Sequence, residues 1–145
     1  MENPDKKIIE FINEHHVLTL ATSNNNKAYC ANCFYTYLEE DIAFIFTSDE
    51  ETKHAQDALA QNKVAASIVL ETKTIGKIQG IQLTGIMFQP EGELKKKAKK
   101  AYLKSFPYAA LMKTTLWVLK PNFMKMTHNR LGFGKKLIWG TLDSY

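Results

Sequence analysis

Residues 29–55, YCANCFYTYLEEDIAFIFTSDEETKHA, decide how the rest of the chain is read. Residues 28–38 are rich in aromatics, residues 39–41 are acidic, and residues 42–47 (IAFIFT) are apolar on both faces. This pattern reads as a β-hairpin whose second arm is central or at an interface. Ser48-x-x-Glu51 is a capping box and predicts a helix over 49–61, with Thr52, Lys53 and His54 in its first turn. An apolar wall beside hydroxyls, cations and a helix start suits a flat ligand with an anionic tail. The same residues also suit an ordinary capped helix with Lys53 and His54 on its surface, and Asp49, Glu50 and Glu51 oppose an anion.

Toward the N-terminus, Asn3 and Pro4 predict the start of a helix whose apolar stripe is Ile8, Ile9, Phe11 and Ile12. Residues 16–22 read as a strand and 23–27 (SNNNK) as a turn, because asparagine tolerates left-handed backbone. Toward the C-terminus, strands are predicted over 64–70 and 77–88. Gly80 and Gly85 mark bulges or close backbone approach in the second of these. A helix follows over 93–104, then a helical turn over 108–112, strands over 116–120 and 123–127, and an irregular tail over 130–140. Many strands joined by short turns favour an antiparallel sheet or small barrel over a parallel fold.

A chain of 145 residues is expected to form one domain that buries about 68% of its unfolded surface. Residues 1–15 lack the pattern of a signal peptide, and no apolar run approaches the roughly 20 residues of a membrane helix. A cytoplasmic location is expected. Cys30 and Cys33 form a C-x-x-C, but on a strand the two thiols point to opposite faces, so ordinary reduced cysteines are expected. His15, His16, His54 and His128 show no metal-ligand spacing. The run Lys95-Lys96-Lys97, continued by Lys99 and Lys100, reads as a solvated helix face, with nucleic-acid binding as the alternative. Aromatic walls for a flat ligand are expected from Tyr29, Phe34, Tyr35, Tyr37, Phe44 and Phe46, unless these are core. Gln79 and Gln82 flank Gly80 and are candidates to read polar ring edges.

Five segments carry a wider likeness: CANCFY (30–35), TKHAQ (52–56), GIQLTG (80–85), KKAYLKSFP (99–107) and LGFGKKLIWG (131–140). Through them the chain resembles the YhbP-like family of small bacterial proteins. That family sits within the pyridoxamine-phosphate-oxidase-like, FMN-binding split-barrel superfamily. The resemblance implies a mainly β fold, an antiparallel split β-barrel of six to seven strands with peripheral helices. It also implies a homodimer with FMN between subunits, serving a flavin-dependent oxidoreductase of unassigned substrate. Thr47, Ser48, Thr52, Lys53 and His54 would hold the phosphate. The backbone of Ala31, Asn32, Cys33 and Phe34 would lie along the ring. Gln79 and Gln82 would come from the partner subunit, and Trp117 would be a late-strand tryptophan near the ring.

The chain departs from the wider superfamily at the phosphate, where a Ser-Arg-Lys trio is usual and Thr52-Lys53-His54 stands here. One permanent cation becomes a titratable imidazole. The superfamily's substrate-binding arginine near the C-terminus has no secure counterpart here, where Arg130 is the only arginine. Two further readings follow. One is a non-catalytic flavin- or heme-binding module, with His54, His128 or Tyr29 as axial ligand. The other is a nucleic-acid-binding protein that uses the lysine-rich helix.

Overall fold

The computed structural model describes residues 2–143. In chain order its elements are α1 (Lys6–Glu14), β1 (Val17–Asn24), β2 (Lys27–Leu38), β3 (Ala43–Ser48), α2 (Lys53–Ala60), β4 (Lys63–Val69), β5 (Gln79–Phe88), α3 (Gly92–Ser105), β6 (Thr115–His128) and β7 (Lys136–Gly140). All strand pairs are antiparallel, in the order β3-β2-β1-β4-β5-β6-β7. β3 also pairs with β6, so six strands close into a barrel and β7 extends from it. Closure removes the exposed edges that an open sheet would leave. This is the split barrel expected from the sequence.

Several boundaries differ from the sequence reading. α1 is capped by Asp5 rather than Asn3, the Asp5 carboxylate accepting from the Lys7 amide at 2.7 Å. The β1–β2 turn is tighter than residues 23–27. Asn24 still pairs with Lys27, and only Asn25 and Asn26 form the turn, at φ 51° and 62°. Two consecutive left-handed residues make the turn type that matches the twist of a hairpin. The irregular tail contains a strand, β7.

The largest correction concerns β6. Residues 116–120 and 123–127 belong to one strand of 14 residues with Pro121 inside it. A proline lacks the N–H of a ladder and is tolerated in a strand at a bulge. Here Gly85 lies opposite Pro121 and Thr84 opposite Phe123, so Asn122 is the extra residue. The same point divides the other edge of β6. Thr115, Leu116, Trp117, Val118 and Leu119 pair with β3, whereas Phe123 to Thr127 pair with β7. Asn122 secures the handover: its backbone oxygen accepts from the Thr141 amide at 3.1 Å and its side-chain oxygen accepts from Thr84 at 2.9 Å.

The core lies inside the barrel, where Leu18, Leu20, Phe44, Phe46, Ile81, Trp117 and Met124 are buried. Ala43, Phe44, Ile45 and Phe46 are all buried, so β3 is covered on both faces, as its composition predicts. α3 packs over β2 and β3 through Ala98 and Tyr102. α1 is tied to β2 by Tyr35, whose hydroxyl donates to the Ile12 carbonyl at 2.7 Å.

Candidate functional site

The expected capping box does not form, and 49–52 is a loop rather than helix. Ser48 is the last residue of β3, pairing with Thr115, and its carbonyl accepts from the Trp117 indole at 3.0 Å. The loop 49–52 intervenes before α2, so Ser48 lies too far upstream to cap it. The N-cap of α2 is Thr52, whose hydroxyl accepts from the Ala55 amide at 3.3 Å and donates to the Asp49 carbonyl at 2.7 Å. Ser48 reaches α2 by another route, with its Oγ 2.8 Å from His54 Nε2. The first turn of α2 therefore hangs directly on the end of β3.

β2 runs beside this junction with one edge uncovered. β3 pairs with β2 only from Tyr35 onward, so no strand of the described residues covers the same edge over Ala28 to Phe34. The Tyr35 amide donates to His16 of the β1 side, and backbone groups alternate along an antiparallel ladder. Ala31 and Cys33 therefore spend their backbone groups on β1, and Cys30, Asn32 and Phe34 face the open edge. Of the four residues expected along a ring, only Asn32 and Phe34 have backbone groups directed there. The Phe34 carbonyl already receives the Tyr102 hydroxyl at 3.4 Å, and that hydroxyl accepts from Thr47 at 3.3 Å.

The structure thus gathers Asn32, Phe34, Thr47, Ser48, Thr52, Lys53 and His54 around one shelf. Trp117 is 1% exposed and sits in the core, so its contribution is to hold the Ser48 carbonyl rather than to face a ligand. Cys33 also points inward. Burial pushes its thiol up to about 11, with a hydrogen bond from Ser48 partly opposing the shift, so it stays protonated and unreactive at neutral pH. Cys30 is exposed, and the two thiols diverge as expected. The aromatic wall is smaller than the sequence implied. Tyr35, Phe44 and Phe46 are core and Tyr37 is half-buried, which leaves Tyr29 and Phe34 open. Phe34 and Tyr102 flank Phe106, with ring centroids 5.9 and 4.9 Å from it, forming one side of the shelf.

Lys53 is not a free cation. Its ammonium lies 3.1 Å from both carboxylate oxygens of Asp57 and 5.1 Å from the centre of the Tyr29 ring. Asp57 is 3% exposed and also accepts from Thr22 at 3.0 Å. A buried carboxylate needs such partners, so Asp57 fixes Lys53 in place and offsets its charge, leaving the pair formally neutral. Sequence reasoning missed Asp57, Thr22 and Tyr102. The four-residue spacing of Lys53 and Asp57 was a visible signal, since side chains at that spacing meet on a helix.

Burial holds the His54 imidazole below its ordinary pKa, with the Asp57 carboxylate partly opposing this. The unfolded chain therefore binds more protons than the folded one at and just below about pH 6.5. The stability His54 contributes is complete above that pH and is lost as pH falls through the folded value. His54→Gln should flatten the pH dependence of the urea midpoint between about pH 7 and about pH 5. An unchanged slope would assign it to other groups.

Gln79 and Gln82 are not part of this shelf. Gln79 pairs with His128, and Gln82 lies in a row across the outer face of the sheet, Asn32–Thr19–Ser67–Gln82–Lys125. Three strand steps separate Gln82 from Asn32, roughly 14 Å along the sheet. The remaining candidates also lie elsewhere. Among the described residues the Nδ1 of His128 is buried without a hydrogen-bond partner, and the lysines of α3 at 95–97, 99 and 100 are exposed. No group of three or more His, Cys, Asp or Glu side chains is arranged to hold a metal among the described residues. No helix among them is long and apolar enough to cross a membrane.

The closed barrel with its appended strand defines an antiparallel split-barrel protein. Solved structures share this fold. A heme-binding protein from Mycobacterium smegmatis superposes with a TM-score of 0.77 at 17% identity, over 97% of this chain and 60% of that one. HutZ, the heme storage protein from Vibrio cholerae, gives 0.68 at 16%, over 83% and 91%. An FAD-binding protein from M. smegmatis gives 0.69 at 14%, over 96% and 100%. Identities this low establish fold alone. The chain spans about 60% of the length of that heme-binding protein.

Sequence relatives are closer. A UPF0306 protein of Photorhabdus laumondii is 39% identical over 132 residues, covering 91% of this chain and 92% of its own length. A UPF0306 protein of Klebsiella pneumoniae is 36% identical over 129 residues, covering 89% and 88%. The chain belongs to the UPF0306 family. No protein-family profile matches it.

Proposed function

We propose that the chain acts in the cytoplasm as a one-domain, homodimeric FMN-binding protein, with flavin-dependent oxidoreduction as its activity. The observation that carries this reading is the shelf, where the open edge of β2 at Asn32 and Phe34 runs into the hydroxyl-rich start of α2. A flavin ring edge would hydrogen-bond that backbone. Ser48 or His54, whichever of the bonded pair keeps its outward proton, would donate to the phosphate beside the first amides of α2, with Thr52 capping that turn. Lys53 would add a cation already oriented by Asp57. The flavin itself would supply the electron chemistry. A dimer through the outer face, where Thr19, Ala21, Ala65 and Ser67 are small, would let a partner's Gln79 and Gln82 approach the ring. The narrower YhbP-like assignment stands on the motif resemblance, whereas the relatives above carry the UPF0306 name.

Titration of FMN and riboflavin tests the phosphate contacts. FMN should bind at least about tenfold more tightly than riboflavin. Thr52→Ala and Lys53→Ala should each reduce that preference while leaving riboflavin affinity nearly unchanged. Equal affinity for the two ligands, or a preference that survives both substitutions, rejects the phosphate assignment.

A heme-binding module is the second reading, and the neutral His54 imidazole favours it, because iron takes the unprotonated ring. His54 Nε2 would first have to leave Ser48. The absorption spectrum of the purified protein separates the two: a flavin band pattern supports the first reading and a Soret band the second.

A further inference from the structure

We propose that a second cleft, between α3 and the ends of β3 and β6, binds an organic carboxylate with an apolar body. The cleft has a volume of about 620 Å³, within the range of small-molecule sites. It adjoins the flavin shelf without coinciding with it, since Thr47 and Tyr102 border both. The inference does not depend on flavin binding.

Charge and polarity select the ligand class. Lys95 and Lys99 lie one turn apart on α3 and both line the cleft. Two neighbouring lysines of the same helix are neutralised: Lys96 by Glu93 at 3.1 Å and Lys97 by Asp41 at 2.7 Å. Neither Lys95 nor Lys99 forms an ion pair among the described residues. Among the described residues Glu50 is the one carboxylate in the lining, and its Oε1 accepts from Gln89 at 3.0 Å. Two ammonium groups against one carboxylate leave a single positive excess, which matches a monoanion better than a phosphate dianion. An apolar wall continues from Leu103, one turn beyond Lys99 on α3, to Met112, Leu116 and two alanines. A small hydrophilic anion would leave that wall wet, whereas an anion with a hydrophobic body covers it.

Calorimetric titration of the flavin-free protein with naphthaleneacetate, and with its uncharged amide, tests this directly. The acid should bind once per chain, at least about tenfold more tightly than the amide, and more weakly as salt rises. The Lys95→Ala/Lys99→Ala variant should lose about tenfold in affinity for the acid, and Lys96→Ala/Lys100→Ala should not. Ala110→Trp, which fills the cleft from an exposed position, should abolish binding while leaving the thermal midpoint unchanged. Equal affinity for acid and amide overturns the proposal. So does undiminished binding in either the Lys95→Ala/Lys99→Ala or the Ala110→Trp variant. Because flavin is absent throughout, failure here leaves the FMN reading to its own titration.

Discussion

Gly85→Ala is expected to destabilise the barrel by about 3 kcal/mol or more, and Gly85→Val to prevent cooperative folding. A Cβ at Gly85 would lie 2.8 Å from the Pro121 Cα and closer still to the Lys120 carbonyl oxygen. Both obstacles are backbone, so no side-chain rotation relieves the clash. They are also the backbone of the bulge that passes β6 from β3 to β7. Moving β6 away from β5 would loosen the barrel at its closure. Gly80 is the control, because its nearest neighbour is the Ile68 carbonyl at 3.2 Å and Gly80→Ala should cost roughly 1 kcal/mol or less. Urea denaturation of both variants measures the difference. A Gly85→Ala loss below about 1 kcal/mol would show that the bulge relaxes around a methyl group.

The second large effect is expected at Trp117. Trp117→Ala should cost about 3–5 kcal/mol, since it empties one of the largest volumes of the core. Trp117→Phe keeps most of that volume but removes the indole donor 3.0 Å from the Ser48 carbonyl. Its cost should be about 0.5–1.5 kcal/mol, the net worth of a hydrogen bond to a part-buried acceptor. The phenylalanine variant also separates two roles for this residue. If Trp117 acts by holding Ser48, Trp117→Phe should weaken FMN more than riboflavin, because Ser48 and the His54 bonded to it lie on the phosphate side of the shelf. Equal weakening of both ligands would point to a ring contact, which its burial argues against.

Local patterns made much of the fold legible. The apolar sequence of residues 42–47 predicted a strand covered on both faces, and Ala43 to Phe46 are buried on both faces. The asparagine run predicted a left-handed turn, and Asn25 and Asn26 adopt it. Gly85 was marked for close backbone approach, and it faces Lys120 and Pro121. These features depend on one residue or on the period of a short segment, so they need no knowledge of partners.

The misread features each depend on a partner distant in sequence. Residues 116–120 and 123–127 read as two strands, but Gly85 opposite Pro121 sits at the bulge that lets one strand continue through the proline. Ser48 matched a capping box, yet Thr115 and Trp117 hold its backbone in a ladder and pass the cap to Thr52. The resemblance placed Trp117 near a ring, and barrel closure turns its side chain into the core.

The sequence by itself determined that this chain makes antiparallel strands, where its asparagine turn lies, and which residues carry hydroxyls and charge near the start of α2. Those properties follow from backbone preference and hydrophobic period. Only the tertiary structure decided which of those residues meet. β3 closes on β6 because a sheet with one apolar face must bury it, and that closure brings Ser48 to His54 and leaves the β2 edge open beside them. It also pairs Lys53 with a buried Asp57 and leaves Lys95 and Lys99 over a cleft, with no ion pair among the described residues. Charge in a sequence states what is available, whereas its effect depends on burial and on the nearest opposite charge, which packing alone sets.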